Sequence, residues 1–312
     1  MKVVFMGTPA LAIPFLDSLV HASHQVGLVL TGPDKPVGRG GKISPPPVKV
    51  RAKDLGIPIY QPEKLRREEV ADKLGEVGAD LFVIVAYRLL PPRLIEIPKL
   101  GCLNVHYSLL PKYRGAAPVA WALVKGETET GVTIMLIDKG MDTGAILLQE
   151  ACPIKLDDDT PNLTGRLTEI GIPLMLKAME DLAQGKAQPV LQDNALATPA
   201  PKLKKEDGSI DWTRPAADIH NLRRGLTPWP GTYTTFGGKI FKIHGTRIMA
   251  EDPAFSQVSP GQILGVSKEG LQVGCGASTG LLLTEVQPEG KRRMSGENLI
   301  MGRYLKVGDL LK

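Results

Sequence analysis

An amide and an imidazole two residues apart are the side chains of this sequence best suited to chemistry. Asn104 and His106 stand in residues 103–118, LNVHYSLLPKYRGAAP, where an apolar run ends in a turn rich in proline and glycine. Side chains at i and i+2 leave the same face of a strand, so both would point to one side if residues 101–106 end a strand. An amide that can hold an oxyanion, beside a group that moves protons near neutrality, suits acyl transfer.

A second candidate is Asp142, which stands at the tip of a predicted hairpin. In residues 131–150, GVTIMLIDKGMDTGAILLQE, two apolar runs flank a Gly-Met-Asp-Thr-Gly loop, a pattern typical of paired strands. Each motif alone also has a structural explanation. Asn104 can cap a turn, His106 can bond a backbone carbonyl, and an aspartate in a loop is usually a turn former. The residues by themselves leave both interpretations open.

The two motifs, in this order, resemble those of the folate-dependent formyltransferases. The resemblance is carried by Asn-x-His-x-Ser-Leu-Leu-Pro at residues 104–111 and by Asp-x-Gly-Met-Asp-Thr-Gly at residues 138–144. It implies that Asn104, His106 and Asp142 form a catalytic trio. It also implies that the residues after the histidine line the folate site, namely Ser108, Leu109, Leu110 and Pro111. One departure is Arg88, which stands where the family usually has glycine and leaves the folate contacts open.

A basic loop precedes these motifs. Residues 31–47, TGPDKPVGRGGKISPPP, show no periodic pattern over a length that exceeds the usual loop. Lys35, Arg39 and Lys42 give this loop its positive charge, so it could order on a phosphate backbone or remain a solvated flap. The string P-D-x-P-x-G-R-G resembles the loop by which methionyl-tRNA formyltransferases hold the acceptor end of the tRNA. Arg39 matches the central arginine of that motif.

The resemblance therefore implies a metal-independent transferase that acts in translation initiation. A formyl group would pass from 10-formyltetrahydrofolate to the α-amino group of initiator methionyl-tRNA. Asn104 would donate to the oxyanion, and His106 would move protons between the amine and the departing folate nitrogen. Asp142 would orient the imidazole and favour its charged form. No metal is required, because the acceptor is an amine and the formyl group is already activated.

The elements that must position these residues follow from the hydrophobic pattern. Residues 1–150 alternate short apolar runs with helical patterns, which predicts a Rossmann-like, mostly parallel sheet. Residues 79–87, ADLFVIVAY, are typical of a buried central strand. Dinucleotide-binding and P-loop classes are not indicated, since neither G-x-G-x-x-G nor a Walker A motif is present.

The chain is predicted to contain two domains. We expect a catalytic domain at residues 1–190, a linker without periodicity at 191–206 and a β-rich domain at 207–312, whose short strands favour a small barrel. The resemblance implies an OB-like, tRNA-binding role for that second domain. Its charge agrees with a polyanionic partner, because residues 201–312 hold 16 Lys and Arg against 11 Asp and Glu. The candidate phosphate contacts there are Arg223, Arg224, Lys291, Arg292 and Arg293.

The apolar runs and the cysteine spacing indicate where the protein works and which site chemistry to expect. The chain has no apolar run near the ~20 residues that a membrane span needs, and its first residues enter a strand directly. We therefore expect a cytoplasmic protein without membrane contact. Cys102, Cys152 and Cys275 match no metal-binding spacing and are expected to be buried thiols. The sequence does not determine the oligomeric state, and we expect a monomer.

Other functions remain open from sequence. A formyltransferase for an amino sugar nucleotide or a small phosphorylated amine would keep the trio, but it should lack the basic loop and the positive second domain. A hydrolase of formylfolate would release formate without any acceptor. A tRNA-binding protein with an inert first domain is disfavoured, since all three catalytic residue types are present.

Overall fold

A computed structural model describes residues 1–37, 41–295, 298–299 and 304–312. The chain divides into two compact units. Unit 1 comprises Met1–Gly115, Glu129–Pro153 and Thr164–Pro199, and unit 2 comprises Ala116–Thr128, Ile154–Leu163 and Ala200–Lys312. The predicted domain boundaries at 190 and 206 stay predictions.

The strands and helices alternate in the first half of the chain, whereas strands dominate after residue 230. The strands are β1 (Lys2–Gly7), β2 (Gln25–Leu30), β3 (Lys35–Val37), β4 (Lys42–Ser44), β5 (Ile59–Tyr60), β6 (Leu81–Val85), β7 (Cys102–His106), β8 (Glu129–Leu136), β9 (Ile146–Pro153), β10 (Thr232–Phe236), β11 (Lys239–Ile248), β12 (Ile263–Ser267), β13 (Gly270–Cys275), β14 (Thr279–Pro288) and β15 (Met294–Ser295). The α-helices are α1 (Ile13–His21), α2 (Pro47–Asp54), α3 (Glu68–Val77), α4 (Pro92–Ile95), α5 (Pro118–Val124), α6 (Thr160–Ala183) and α7 (Ala216–Leu226).

Unit 1 is built on a mixed sheet with the strand order β5-β2-β1-β6-β7-β8-β9. The strands from β5 to β7 are parallel, and β8 and β9 join the sheet antiparallel. All five residues of β6 are buried, as the continuous apolar run predicted. The Rossmann-like, mostly parallel sheet is therefore confirmed. Its parallel strands β1, β6 and β7 end along one edge, at Gly7, Val85 and His106.

Proline marks where several helices begin. It occupies the first or second position of α1, α2, α4 and α5, where its missing N–H costs no helical hydrogen bond. The long helix predicted around residues 157–185 is α6, whose buried apolar stripe includes Leu163, Leu167 and Met175. None of the described helices combines the length and the apolar character that a membrane crossing requires.

The basic loop contains regular structure that its sequence did not predict. Strands β3 and β4 pair antiparallel, although each is too short to show an alternating pattern. Asp34 holds the base of this hairpin, because its carboxylate accepts hydrogen bonds from Lys49 and Gln61. The hydrogen bonds from Gln61 and from Lys49, together with the Lys49 charge, lower the pKa of Asp34.

Unit 2 contains an antiparallel sheet with the order β10-β11-β14-β13-β12, and β15 pairs with β14. The segment 308–312 hydrogen-bonds to both ends of this order. On one side Ile263 donates to the carbonyl of Asp309, and on the other side Thr235 and Lys312 exchange two backbone hydrogen bonds of 2.7 and 2.9 Å. This arrangement is consistent with the small barrel that the sequence predicts.

Candidate active site

Strand β7 carries two of the predicted catalytic residues. Asn104 and His106 lie two residues apart on it, so their side chains leave the same face of the sheet. The strand lies between β6 and β8, and His106 pairs with Thr133 at its carboxyl end. The expected placement at the end of a central strand is thus what the structure contains.

His106 is held between a carbonyl and a carboxylate. Its Nε2 lies 2.9 Å from the Tyr113 carbonyl oxygen, and its Nδ1 lies 3.6 Å from Oδ2 of Asp142. A carbonyl can only accept, so Nε2 carries the hydrogen and Nδ1 is the nitrogen that faces the carboxylate. The exposed fractions of the two side chains, 7% and 18%, exclude most bulk water from this pair.

Asp142 is fixed through its backbone and its carboxylate. Its φ of 54° lies in the left-handed region, which aspartate tolerates better than most residues. The backbone N–H of Gly115 donates to Oδ2 at 2.8 Å. Asp138, at the start of the same loop, accepts hydrogen bonds from the Gly140 N–H and the Thr143 hydroxyl. The loop therefore presents one carboxylate to His106 in a defined position.

The Asn104 carboxamide is half-buried, and no hydrogen bond joins it to any residue that the structure describes. Its neighbour Tyr107 points elsewhere, because the Tyr107 hydroxyl lies 2.7 Å from that of Thr168 on α6. Burial raises the pKa of Tyr107 to about 12, so this phenol stays neutral at physiological pH. Because no described residue accepts a hydrogen bond from Asn104, its amide hydrogens are available to a ligand.

The four residues predicted to line the folate site are mostly committed to the protein interior. Ser108 and Leu110 are buried, and the Ser108 hydroxyl donates to the Lys112 carbonyl. The side chain of Thr133 donates to the Ser108 carbonyl and accepts from the Leu110 N–H, while Gln149 donates to the Leu110 carbonyl. Their polar groups are used in shaping the turn. Leu109 and Pro111 are half-buried, and the folate contacts predicted for these four residues stay a prediction.

A cavity that sequence reasoning missed lies beside the Asp142 loop. Its volume is about 420 Å³, and it is lined by Pro92, Ile95, Glu96, Asp138, Lys139 and Gly140. Two separate segments form it, the short helix α4 and the first half of the loop. No sequence signal joins these segments, because they are more than forty residues apart in the chain.

Arg88 is engaged within unit 1. Its guanidinium donates to the carbonyls of Pro62 and Glu63 and to the Tyr87 hydroxyl, at 2.7 to 3.0 Å. This arginine therefore ties the end of β6 to the segment before α3.

The predicted tRNA contacts fall into different environments. Lys35 is exposed on β3, Lys42 belongs to β4, and Arg39 lies outside the described residues. In unit 2 the side chains of three predicted contacts are exposed, namely Lys291, Arg292 and Arg293. Arg293 lies 3.7 Å from Glu285, and the Lys291 ammonium lies over the Tyr304 ring.

Arg224 corrects the prediction of a phosphate contact. It is buried, and its guanidinium donates to the carbonyls of Lys155 and Asp158 and to the side chain of Asn221. An arginine so enclosed has no surface to offer a phosphate. Its neighbour Arg223 is half-buried, and desolvation lowers the pKa of its guanidinium. Within unit 2, the hydrogen bonds of Arg224 link α7 to the backbone at Lys155 and Asp158.

No group of three or more His, Cys, Asp or Glu side chains in the described part of the chain could hold a metal ion. The three cysteines are unpaired and buried. Burial raises the pKa of Cys102 and of Cys275 to about 12, which makes both thiols poor nucleophiles.

Two family models match this chain. The model described as Formyl transferase matches residues 1–179, and the model described as Formyl transferase, C-terminal domain, matches residues 202–304. A methionyl-tRNA formyltransferase of Citrifermentans bemidjiense is 44% identical over 312 residues, which are 100% of this chain and 96% of the relative. A methionyl-tRNA formyltransferase of Koribacter versatilis is 46% identical over 313 residues, covering 100% and 98%.

Solved structures share the fold at lower identity. The N-formyltransferase from Helicobacter canadensis, in complex with folinic acid and dTDP-3-aminofucose, has a TM-score of 0.67 and 19% identity, covering 92% of this chain and 99% of that one. HypX from Aquifex aeolicus in complex with tetrahydrofolic acid has a TM-score of 0.65 and 16% identity, covering 100% and 50%. At such identities the similarity establishes a common fold.

Proposed function

This chain belongs to the formyl transferase family, and we propose that it formylates the α-amino group of methionyl-tRNA with 10-formyltetrahydrofolate as donor. The products are tetrahydrofolate and N-formylmethionyl-tRNA, the aminoacyl-tRNA of translation initiation. One observation carries the proposal for the site. An unpartnered amide, Asn104, shares a strand face with His106, whose Nδ1 lies 3.6 Å from the Asp142 carboxylate.

Asn104 acts on the carbonyl oxygen. When the amine adds to the formyl carbon, that oxygen gains negative charge, and the free N–H groups of Asn104 donate to it. Removal of one such donor typically costs about 3 kcal/mol of the activation barrier. The role needs a carboxamide that the protein leaves unpaired, which is the state of Asn104 among the described residues.

His106 moves the protons through Nδ1. The Tyr113 carbonyl holds the hydrogen on Nε2, so Nδ1 keeps a lone pair that can take a proton from the attacking amine. Asp142 faces this nitrogen and stabilises the imidazolium that forms. The proton then passes to the folate nitrogen as its bond to the formyl carbon breaks.

The cavity beside the Asp142 loop is the proposed folate site. Its volume of about 420 Å³ falls within the range of small-molecule sites, and Asp138 and Gly140 on its wall belong to the loop that carries Asp142. A donor bound there would lie next to the trio. The turn that follows His106, residues 108–111, is also proposed to line the folate site, and its hydrogen bonds hold its shape.

The tRNA is proposed to contact cations of both units. Lys35, Arg39 and Lys42 supply charge from the β3–β4 hairpin region, and Lys291 and Arg292 supply it from unit 2. Arg224 is left out because it is buried. We further propose that the enzyme works as a monomer in the cytoplasm, where initiator tRNA is charged and used.

The direct test is formylation by the purified protein. Methionyl-tRNA and 10-formyltetrahydrofolate are supplied, the ester is hydrolysed, and N-formylmethionine is measured by mass spectrometry. Free methionine and an amino sugar nucleotide serve as alternative acceptors. We expect product from methionyl-tRNA alone; formylation of the sugar amine, or formate release without any acceptor, would point to another reaction.

Two variants test the assignment of the site. Asn104→Ala should slow transfer about 10²-fold and His106→Ala about 10³-fold or more, while tRNA binding, followed by gel shift, is retained. His21→Ala is the matched control, because His21 is an exposed histidine at the end of α1. Loss of tRNA binding in a folded Asn104→Ala protein would contradict the catalytic role.

A further inference from the structure

A glutamine in the predicted linker holds the backbone of the Asp142 loop. The Gln192 Nε2 donates to the Asp142 carbonyl at 2.9 Å and to the Gly144 carbonyl at 2.7 Å. Its Oε1 accepts from Nε and Nη2 of Arg114, at 3.0 and 2.7 Å. All four hydrogen-bonding positions of this carboxamide are therefore occupied.

The chemistry of these partners fixes the orientation of the Gln192 amide. A reversed amide would direct its oxygen at two carbonyl oxygens and its NH₂ at the Arg114 guanidinium. Both contacts would be repulsive.

Arg114 links this amide to both partners of the catalytic pair. The residue before it, Tyr113, offers its carbonyl to His106, and the residue after it, Gly115, donates its N–H to the Asp142 carboxylate. Through Gln192, the Arg114 side chain also reaches the Asp142 backbone. The position of Asp142 relative to His106 is thus set from three consecutive residues.

The segment that carries Gln192 is itself anchored on both sides. Val190 and Ile146 of β9 exchange two backbone hydrogen bonds of 2.8 Å. Further along, Thr198 accepts from the backbone N–H of Arg114 at 2.8 Å, and its hydroxyl accepts from the N–H of Tyr113 at 2.8 Å. Gln192 therefore acts from a fixed base.

We propose that Gln192, held by Arg114, is a positioning residue that keeps the Asp142 carboxylate at His106 in a loop with left-handed backbone geometry. This inference rests on the proposed formyl transfer and on the role of Asp142 in it. Gln192 touches neither reactant in this assignment. Its effect should appear in the rate of the chemical step and depend on the presence of Asp142.

The test combines Gln192→Leu with a double-mutant cycle. Single-turnover formylation, with enzyme in excess so that slow variants still give a rate, is measured for wild type, Gln192→Leu, Asp142→Asn and the double variant. We expect Gln192→Leu to lower the rate of transfer about 10- to 100-fold, as loss of alignment does, with KM for both substrates changed less than about twofold. In the Asp142→Asn background the same substitution should change the rate less than about threefold, because its target is gone.

Gln192→Glu is a second variant that tests the same contact if Gln192→Leu does not fold. A carboxylate still pairs with Arg114 but cannot donate to the carbonyls of Asp142 and Gly144, so it removes the proposed contact while retaining the anchor. Gln188→Leu is the matched control, since Gln188 is exposed on the same segment. Thermal unfolding of each variant is recorded beside the kinetics.

The outcomes separate this inference from the proposed function. If wild type forms no N-formylmethionyl-tRNA, the proposed function fails. If wild type is active and both Gln192 variants keep the wild-type rate, the positioning role is overturned. An equal loss of rate in the wild-type and Asp142→Asn backgrounds, or an effect on KM alone, would overturn it too.

Discussion

Each unit contains a shielded histidine, and the charges beside the two rings have opposite signs. His106 in unit 1 is buried, and His220 in unit 2 is half-buried. In unit 1, His106 faces the carboxylate of Asp142 at 3.6 Å. In unit 2, His220 on α7 bonds the Thr246 hydroxyl at 2.8 Å and lies near Arg223 and Arg224. Burial and then these two positive charges lower the pKa of His220 to about 4.

The comparison shows that the charge of the neighbouring side chains, together with burial, decides what a histidine can do. A carboxylate beside His106 compensates the positive charge that proton transfer creates on the ring. The arginines beside His220 oppose that charge, so this ring stays neutral and serves packing and hydrogen bonding. The same residue type is suited to catalysis in one unit and to structure in the other.

The largest contrast is expected in activity. His106→Ala should lower the rate of formyl transfer about 10³-fold or more, because the proton acceptor is lost. His220→Gln, which can keep a hydrogen bond to Thr246, should leave the rate within about twofold. Turnover with methionyl-tRNA measures both. A comparable loss of rate in the two variants would contradict the assignment of a catalytic role to His106 and a structural role to His220.

Removing the charge beside His106 should have the next largest effect. Asp142→Asn keeps the shape of the side chain but no longer stabilises the imidazolium, so transfer should slow about 10²-fold. Thr143→Val is a useful comparison, since the Thr143 hydroxyl shapes the same loop by donating to Asp138. If both substitutions slow transfer equally, loop structure accounts for the effect of Asp142.

The third effect concerns pH and stability. Since the pKa of His220 is lowered from 6.5 to about 4 on folding, the unfolded chain binds more protons between these values. The free energy of unfolding of unit 2 should therefore fall as the pH falls through this window. From about pH 7.5 to about pH 5, we expect a loss of at most about 2 kcal/mol from this histidine, because solvent screening reduces the contribution of a partly exposed group.

Tryptophan fluorescence during urea unfolding measures this loss. All three tryptophans, Trp121, Trp212 and Trp229, belong to unit 2, so the signal reports that unit. His220→Gln should remove the histidine-dependent part of the pH effect. An unchanged pH dependence in this variant would show that His220 is not the group responsible.

The smallest effect extends the comparison to two exposed arginines, one in each unit. Arg292→Ala should raise KM for tRNA by less than about fivefold, which corresponds to a cost below about 1 kcal/mol. It should also lower the slope of log affinity against log salt concentration by about one, because about one fewer counterion is released on binding. Exposed Arg66 in unit 1 provides the matched control as Arg66→Ala. Equal salt slopes for wild type and Arg292→Ala would remove this arginine from the interface.

Local patterns were sufficient to predict much of the fold. The apolar run of β6, the hairpin of β8 and β9 and the shared face of Asn104 and His106 each follow from residues that are neighbours in the chain. Strand alternation and buried apolar runs are short-range properties, so a sequence displays them directly.

The rest of the site depends on distant backbone groups. The Tyr113 carbonyl that orients His106, and the amide of Gln192 that reaches the Asp142 loop, have no signature, because any residue supplies a carbonyl and many segments contain glutamine. Burial of Arg224 was equally hidden. From sequence, an Arg-Arg pair on a helix is expected to face solvent. Only the structure shows that Arg224 donates to the carbonyls of Lys155 and Asp158.

The backbone bonds of segment 308–312 have a consequence for the solution behaviour of unit 2. The same short stretch hydrogen-bonds to both outer strands of its sheet, at Thr235 of β10 and Ile263 of β12, so these backbone groups are not free to pair with another molecule. Cleavage just before residue 308 would uncover both at once and remove buried Leu311 from the core. A protein preparation clipped at this point should accordingly self-associate through its strands and precipitate before any catalytic group is disturbed.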